Sequence, residues 1–230
     1  MIASEVAALV RKLRPPFLEG LTQPEVSTIL AAARQQRFLA DSVIATQGDP
    51  ARHIFMILSG RARSFFLTRD GQKLHIHWYP PGEMLGGMAL VLRPSEYLVS
   101  TEAVKNSLAL AWDRTTIRNL TSRYPQLLDN ALSIASNYLN LALATQVSLS
   151  YHTARQRLAE VLINLASGIG HEVSGGIEVV VRNEELASAA NVTSFTASRV
   201  MSEWERSGMV AKSRGKVLLP RPERLLLQEL

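Results

Sequence analysis

The chain of 230 residues contains no cysteine. This absence excludes disulfides, cysteine-ligated zinc, iron–sulfur clusters and thiol redox switches. No apolar run reaches the roughly 18 residues that a membrane span needs, and the N-terminus lacks the apolar segment and cleavage site of a secretory signal peptide. We therefore expect a cytoplasmic protein with no membrane partner.

The sequence also lacks the usual patterns of catalysis. It contains no nucleophile–base pair, no histidine set with the spacing of a zinc site and no phosphate-binding P-loop. We therefore expect neither an enzyme nor a bound cofactor. What is present is a formal net charge of +5 and 47% apolar residues. A globular chain of this length is long enough for two domains, and its basic balance suits a polyanionic partner.

The most informative segment is residues 183–201, which predicts a helix, a tight turn and a second helix. Asn183 is expected to cap the first helix, whose Glu184 and Glu185 complement the helix dipole. Asn191 falls where the turn requires a residue that tolerates a positive φ. The buried face of the first helix is expected to comprise Leu186, Ala187 and Ala190. An ordinary helical hairpin is the alternative interpretation of the same pattern.

The second helix of this segment has two distinct faces. Val200, Met201 and Trp204 form its inward stripe, and Thr193 or Ser194 can cap it. In a helix-turn-helix, the outward N-terminal residues of the second helix face the major groove of DNA. The residues that we predict to contact DNA from this helix are Thr193, Ser194, Phe195, Thr196, Ser198 and Arg199.

The segment after the second helix favours DNA binding over a simple hairpin. Residues 208–210 end the helix, and residues 211–219 predict two short strands around a basic Ser-Arg-Gly turn. This is the layout of a winged helix-turn-helix. Lys212, Arg214 and Lys216 are placed on the wing to contact phosphates.

The sequence pattern of the N-terminal half changes near residue 36 from helical spacing to short apolar runs. Residues 1–35 have helical spacing interrupted by Pro15 and Pro16. Short apolar runs separated by turn residues follow up to residue 113, which predicts a β-sandwich or barrel of jelly-roll type. The candidate strands are residues 43–44, 54–58, 63–67, 74–79 and 107–112, and the turns between them are residues 48–50, 59–60, 69–71 and 80–83.

A long helix is predicted from Tyr124 to Ser148. Its apolar residues recur at alternating steps of four and three, which is the period of a coiled coil. We predict a parallel homodimer through a seam of Leu128, Leu132, Ala135, Leu139 and Ala142. The alternative is that this helix packs only on its own β-domain. A further helix is expected from Tyr151 to Ala166, followed by a loop at residues 171–176 and a strand at 177–181.

Several segments match a known family when they are taken together and in order. They are residues 47–49 (Gln-Gly-Asp), 57–63 (Ile-Leu-Ser-Gly-Arg-Ala-Arg), 81–86 (Pro-Gly-Glu-Met-Leu-Gly), 157–165 and 185–204. With them, essentially the whole chain resembles the CRP/FNR family of bacterial transcription regulators. The resemblance implies a homodimer that binds a pseudo-palindromic double-stranded DNA operator and contacts RNA polymerase, with a signal received in the β-domain.

The resemblance also implies an α+β fold with three parts. Residues 1–123 would form a cyclic-nucleotide-binding-like sensor domain, which is a double-stranded β-helix of jelly-roll type. Residues 124–150 would form the dimerisation helix, and residues 151–230 the winged helix-turn-helix domain.

The segment after Gly86 departs from the cyclic-nucleotide-binding members of the family. In those members a glutamate holds the ribose and an arginine neutralises the phosphate, whereas Gly87 and Tyr97 stand at the corresponding positions here. Losing the contact to a buried phosphate should cost on the order of 3–5 kcal/mol, so we expect that the domain does not use cyclic AMP. Arg93 is an alternative phosphate contact from another angle. The candidate effector pocket comprises Gly86, Gly87, Met88, Ala89, Arg93 and Tyr97.

Histidine ligation is a second possible sensing chemistry. His75 and His77 alternate on a predicted strand, so both would point to one face and could share a metal or approach a haem. No third ligand is identifiable among the other histidines, and we predict no metal site. Residues 72–79 would otherwise form a pocket wall or contact the dimer helix.

The reading helix keeps part of the family's base-reading set. Family members typically use a glutamate and an arginine four positions apart to read a C and a G. Arg199 keeps the arginine, whose fork can bond both acceptors of a G, and Ser198 could touch a thymine or a phosphate. Phe195 stands in place of the glutamate, where it either packs on a thymine methyl or turns inward and contributes nothing.

Two functions of different classes fit the sequence. The first is a sequence-specific transcription regulator of the CRP/FNR type. The second is a sensor module for a cyclic nucleotide, haem or another small molecule, whose C-terminal domain contacts proteins. Because a phosphate-neutralising dimer loses DNA affinity steeply as salt rises, salt dependence discriminates between them.

Overall fold

The computed structural model describes residues 3–71, 73–93 and 95–227 of the chain. These residues divide into two compact units. The first unit comprises the described residues up to 71 and those between 76 and 140, and the second comprises residues 73–75 and those from 141 to 227. Residues 1–2 of the predicted N-terminal helix and residues 228–230 of the predicted DNA-binding domain lie outside the described residues.

Two helices and a 3₁₀ turn open the first unit. They are α1 (Ala3–Leu13), the 3₁₀ turn (Pro16–Leu18) and α2 (Gln23–Ala31). α2 begins with a capping box, in which the backbone N–H of Thr22 donates to the Glu25 carboxylate at 2.8 Å. The prediction of helix up to residue 35 is wrong at its end, because a strand begins at Arg34.

Six strands form the sheet of the first unit. They are β1 (Arg34–Phe38), β2 (Val43–Ala45), β3 (His53–Leu67), β4 (Lys73–Tyr79), β5 (Met84–Leu85) and β6 (Ser100–Asp113). The strand order is β1-β6-β3-β4, with β2 paired to β6 and β5 paired to β3. The ladders of β6 with β1, β2 and β3, and that of β3 with β5, are antiparallel. The predicted N-terminal β-domain is therefore confirmed, although its strands are longer than predicted.

The predicted turn at residues 59–60 is wrong. The chain continues as one strand through β3, and its register against β6 shifts at Ser59 and Arg61. Gly60 lies at this irregularity with a φ of 90°, and an added side chain there would collide with Ser107. A Ser-Gly pair makes a bulge here, because glycine permits the backbone conformation that both a turn and a bulge require.

Each face of this sheet carries a hydrophobic cluster, because side chains alternate along β3. Ile54 and Met56 pack with residues of α1 and α2 in the first cluster. Phe55 and Ile57 belong to the second cluster. The sheet is therefore covered on one face by the N-terminal helices and closes over a separate core on the other.

A short helix that the sequence did not predict precedes the long one. It is α3 (Arg114–Arg123), and it begins because the Asp113 carboxylate accepts from the backbone N–H of Thr116 at 2.9 Å. The side-chain and backbone hydrogen bonds from Thr116 hold the pKa of Asp113 below its usual range.

The long helix, α4 (Gln126–Tyr151), begins and ends later than predicted. Its buried Leu127 and the partly buried Ala131 and Ile134 belong to the first cluster, whereas Tyr138 packs against the second. Part of the helix thus does pack on its own β-domain. Among the described residues, no helix combines the length and the apolar character that crossing a membrane requires.

The second unit contains helices and one small sheet. Its elements are α5 (Ala154–Ile169), β7 (His171–Val173), β8 (Gly176–Val180), α6 (Asn183–Ala189), α7 (Ser194–Arg206), β9 (Ala211–Ser213), β10 (Lys216–Leu219) and α8 (Arg224–Leu227). The sheet is antiparallel in the order β7-β8-β10-β9. This arrangement confirms the helix-turn-helix and the two-stranded wing.

Two predictions for this unit are wrong in detail. The helix expected from Tyr151 begins only at Ala154, because the Thr153 side chain and Gln156 form a capping box. The loop expected at residues 171–176 is the hairpin of β7 and β8, and Gly175 and Gly176 supply the positive φ values of its turn.

Candidate functional site

The helix-turn-helix is built from α6, a short turn and α7. Asn191 has a φ of 50°, which is the conformation predicted for the turn. The predicted cap is wrong, because Arg182 occupies the cap position of α6 and its backbone N–H donates to Glu185 at 2.8 Å. Asn183 instead donates to the Ser194 carbonyl at 3.1 Å, which ties the start of α6 to the start of α7. The buried residues of the first helix are Leu186, Ala187 and Ala190, as predicted.

The second helix, α7, begins at a side-chain cap. The Thr193 hydroxyl accepts from the backbone N–H of Thr196 at 3.1 Å, which fixes the N-terminal turn of the helix. The inward side chains are Ala197, Val200, Met201 and Trp204, and all four are buried. Ser194, Phe195, Ser198 and Arg199 lie on the exposed side, whereas Thr196 is partly buried.

Phe195 and Arg199 form the exposed centre of this face. The Phe195 side chain is 79% exposed, so it does not turn inward. The Arg199 guanidinium pairs with the Glu203 carboxylate at 3.2 Å, and the same carboxylate accepts from Arg155 at 2.6 Å. Glu203 therefore holds Arg199 against the helix, while the Arg199 side chain remains 60% exposed.

The wing places its three basic residues on the surface. Lys212, Arg214 and Lys216 are exposed, and Gly215 has a positive φ of 71° in the turn between β9 and β10. Lys212 pairs with Glu205 at 2.9 Å, and Lys216 pairs with Glu178 at 2.8 Å. The Lys212 side chain holds the pKa of the Glu205 carboxyl below its usual range. Both lysines of the wing are thus paired with carboxylates, whereas Arg214 lies at the tip.

Arg157 was not among the predicted DNA-contacting residues, although it lies in the family-like segment 157–165. Its guanidinium donates to three backbone carbonyls, those of Ala190 at 2.9 Å, His152 at 2.9 Å and Asn191 at 3.2 Å. Two of these carbonyls belong to the turn between α6 and α7. Arg157 therefore fixes the turn of the helix-turn-helix to the start of α5.

The first unit contains a cavity of about 620 Å³ between its sheet and α4. Of the predicted effector residues, Gly86, Gly87, Met88 and Tyr97 line it. Ala89 is instead fully buried in the first hydrophobic cluster, and Arg93 is exposed outside the lining. The cavity thus brings four of the six predicted effector residues together.

Tyr97 has a structural role at the edge of this cavity. Its hydroxyl donates to the His53 carbonyl at 2.8 Å and accepts from the His53 backbone N–H at 3.0 Å. Desolvation by burial raises the pKa of the Tyr97 phenol. Tyr97, which stands where the family has an arginine, is therefore neutral, and its hydroxyl is hydrogen-bonded to the backbone of β3.

The two histidines of β4 are His75 and His77. Among the described residues, no group of three histidine, aspartate or glutamate side chains could hold a metal ion. His77 pairs with Glu83 at 2.8 Å and stacks edge-on against Tyr79 and Tyr138. Residue 77 thus contacts the long helix, which was one of the predicted alternatives for residues 72–79.

The predicted seam lies on a second face of α4. Leu128, Leu132 and Leu139 are 51%, 67% and 61% exposed, and Ala135 and Ala142 are also exposed. These residues alternate with those that pack on the sheet, so one helix presents an inward face and an uncovered apolar face. Leu128, Leu132 and Ala135 also line the cavity.

Comparisons with known proteins match both units. Residues 35–124 match the family model of the cyclic nucleotide-binding domain, and residues 156–227 match that of the Crp-like helix-turn-helix domain. The chain is 29% identical over 216 residues to the "Cyclic AMP receptor protein" of Thermus thermophilus, covering 94% of this chain and 96% of that protein. It is 21% identical over 214 residues to the "CRP-like cAMP-activated global transcriptional regulator" of Mycobacterium tuberculosis, covering 92% and 95%.

The fold also resembles that of a solved structure. The structure of FixK2 from Bradyrhizobium japonicum superposes with a TM-score of 0.75 at 20% identity, covering 86% of this chain and 98% of that chain. Since residues 156–227 match the Crp-like helix-turn-helix model, residues 183–201 are a helix-turn-helix and not an ordinary helical hairpin.

Proposed function

Because the chain belongs to the CRP/FNR family of transcription regulators, we propose that it binds a pseudo-palindromic operator as a homodimer and contacts RNA polymerase in the bacterial cytoplasm. Its homologues are transcription regulators and not enzymes. Regulators of this family bind DNA and act as dimers. The finer assignments to particular residues are proposals that rest on the geometry of α7, the wing and α4.

The observation that carries the proposal is the exposed N-terminal face of α7. A helix capped by Thr193 presents Phe195 and Arg199 to solvent on the side opposite its buried stripe, which is how a recognition helix enters the major groove. We propose that Arg199 reads a G through its two donor groups and that Phe195 packs on a thymine methyl. Arg214 at the tip of the wing would contact a phosphate.

The half-site should therefore keep a G opposite Arg199 and depart from the family consensus one or two base pairs away. Phe195 cannot accept a hydrogen bond from a cytosine amine. A selected operator in which a cytosine preference disappears on Phe195→Ala would contradict this assignment.

The β-domain, on this proposal, does not use cyclic AMP. Two relatives are named for cyclic AMP, but Gly87 and Tyr97 line the cavity here where a glutamate and an arginine are expected, and Arg93 is exposed outside it. A cyclic phosphate buried without a cationic partner is strongly disfavoured. The dimer could then hold the DNA-competent geometry without that nucleotide.

The test is an in-vitro selection of bound duplexes from a random pool, at fixed near-physiological salt and with no added effector. We expect a palindrome whose half-sites lie about one helical turn apart, because a dimer presents two copies of α7. A flat pool that stays flat when cyclic nucleotides or haem are added would overturn the proposal. A palindrome recovered only with cyclic AMP would overturn the effector assignment alone.

A further inference from the structure

We propose that the cavity of the first unit binds a neutral, largely apolar small molecule in place of a cyclic nucleotide. This inference rests on the proposed function, since it assigns a ligand class to a sensor domain that does not use cyclic AMP. All residues that line the cavity belong to the first unit.

The lining of the cavity contains no charged side chain. Its 21 residues are all apolar, apart from a threonine and three tyrosines. Arg63, on β3 of the same sheet, lies outside the lining and pairs with Glu102 at 2.6 Å. Burying an anion beside apolar groups without a cation is costly, whereas burying an apolar ligand there is favourable.

The cavity has a buried floor and an exposed rim. Ile54 and Thr101 in the floor are only 1% and 3% exposed, and Leu85 beside them is also buried. Leu98 and Leu132 at the rim are 66% and 67% exposed. A helix from a second copy could cover the rim, but it could not fill the floor behind α4, so a small molecule is the occupant that fits this depth.

Two of the tyrosine hydroxyls in the lining are already hydrogen-bonded within the protein. The Tyr97 hydroxyl bonds the backbone of His53, and the Tyr138 hydroxyl donates to the Met84 carbonyl at 3.3 Å. Burial raises the pKa of the Tyr138 phenol, so this group is neutral at physiological pH. The cavity therefore offers neutral hydroxyls and apolar surface, which suit a ligand with at most a hydroxyl or carbonyl as its polar group.

The size of the cavity agrees with a small-molecule site. Its volume of about 620 Å³ lies within the roughly 300–1,000 Å³ of typical ligand pockets. Gly87 borders it, and a side chain added at this residue meets no protein atom within 4 Å. A larger residue at position 87 can therefore narrow the cavity without straining the backbone.

The experiment uses the full chain and a neutral apolar fluorophore, N-phenyl-1-naphthylamine, whose emission rises in apolar surroundings. We expect saturable binding of about one probe per chain, displaced by the neutral alcohol 1-decanol and not by cyclic AMP. Absence of saturable binding, or displacement by cyclic AMP as effective as that by decanol, would overturn the proposal.

Two pairs of variants locate the bound probe. Leu98→Lys places a charge at the rim and should weaken probe binding about tenfold, whereas Leu39→Lys, at another exposed leucine of the same unit, should not change it. Gly87→Trp should weaken binding similarly, while Gly168→Trp, at a glycine of α5 with open space around it, should not. Equal effects within both pairs would place the probe outside the cavity and overturn the proposal.

The probe-binding and DNA-selection experiments test the ligand inference and the proposed function separately. If the chain selects a palindrome but does not bind the probe, the ligand inference fails and the proposed function stands. If the chain binds the probe in the cavity but selects no DNA under any condition, the ligand inference stands and the proposed function fails.

Discussion

Arg199 is held against α7 by an ion pair with Glu203, which also pairs with Arg155. If Arg199 contacts a base as we propose, this restraint means that little side-chain freedom is lost on binding. Replacing Arg199 leaves Glu203 paired with Arg155, and the helix itself should be undisturbed.

We expect Arg199→Ala to weaken operator binding by about 1–3 kcal/mol per half-site, because both hydrogen bonds to the G are lost. Fluorescence anisotropy with the selected operator and with variants at the G position measures this effect. Arg69→Ala removes an exposed arginine from the first unit and should leave affinity unchanged. An Arg199→Ala protein that binds as tightly as the parent would contradict the docking of α7.

Single residues show where sequence reasoning succeeds. The exposure of Arg199 and the burial of Val200 and Trp204 follow from the helical period and were predictable. The sequence left open whether Phe195 turns inward, and its exposure is known only from the structure. The pairing of Lys212 with Glu205 depends on how the chain returns after α7, and no local pattern encodes it. Thr193 was one of the two caps predicted for α7. At α6 the prediction was wrong, because Arg182 takes the place expected for Asn183 and Glu185 completes its capping box.

The long helix α4 carries two apolar faces. One packs on the sheet through Leu127, Ala131, Ile134 and Tyr138, and the other is the exposed seam that includes Leu132 and Leu139. The sequence offered these as alternatives, packing on the β-domain or dimerisation. The structure shows the first, and the exposed seam supports the second as a proposal.

Leu139→Lys should weaken dimerisation, because it places a charge in the middle of the apolar seam while leaving the sheet-facing side intact. Asn137→Lys is the matched control, since this exposed residue lies on another face of the same helix. Sedimentation equilibrium over a range of protein concentrations measures the dissociation constant. If both variants dimerise like the parent, the seam is elsewhere.

Tyr79 on β4 and Tyr138 on α4 lie with their ring centroids 6.5 Å apart. Desolvation by burial raises the pKa of both phenols above the ordinary value of 10.0. The unfolded chain releases these protons near that pH, whereas the folded chain keeps them to higher pH. The stabilisation is therefore complete below pH 10 and is lost as pH rises above it.

Urea unfolding at a series of alkaline pH values tests this expectation, with tyrosinate absorbance as a second readout. The free energy of unfolding should fall less steeply above pH 10 in the double variant Tyr79→Phe, Tyr138→Phe than in the parent. Tyr151→Phe alters a tyrosine that is largely exposed and should follow the parent. Identical alkaline profiles in parent and double variant would show that neither tyrosine is responsible.

At the scale of elements, apolar runs and turn residues predicted most strands but not their lengths. Residues 59–60 have a turn-like sequence yet form a bulge in β3, because pairing with β6 continues across them. β1 was not predicted because residues 34–37 are polar and exposed, so their strand conformation comes from pairing with β6. The helix α3 was not predicted because it contains few apolar residues.

The chain carries a formal net charge of +5, and we expect this charge to assist its approach to DNA. We expect the logarithm of operator affinity to fall linearly with the logarithm of salt concentration, with a slope of about −0.9 per phosphate contacted. Arg214→Ala should reduce the slope by about one per contact removed. Affinity measured at several salt concentrations gives both values, and an affinity that hardly depends on salt would favour a C-terminal domain that contacts proteins.

Leu128, Leu132 and Ala135 are shared between the cavity wall and the exposed seam. Any molecule that changes their positions from the cavity side also changes the surface offered to a second copy. By thermodynamic reciprocity, the pairing of two chains then alters the affinity for that molecule by the same factor. A binding constant measured for this cavity would therefore depend on protein concentration, and titrations at two concentrations on either side of the dimerisation constant would give two different values.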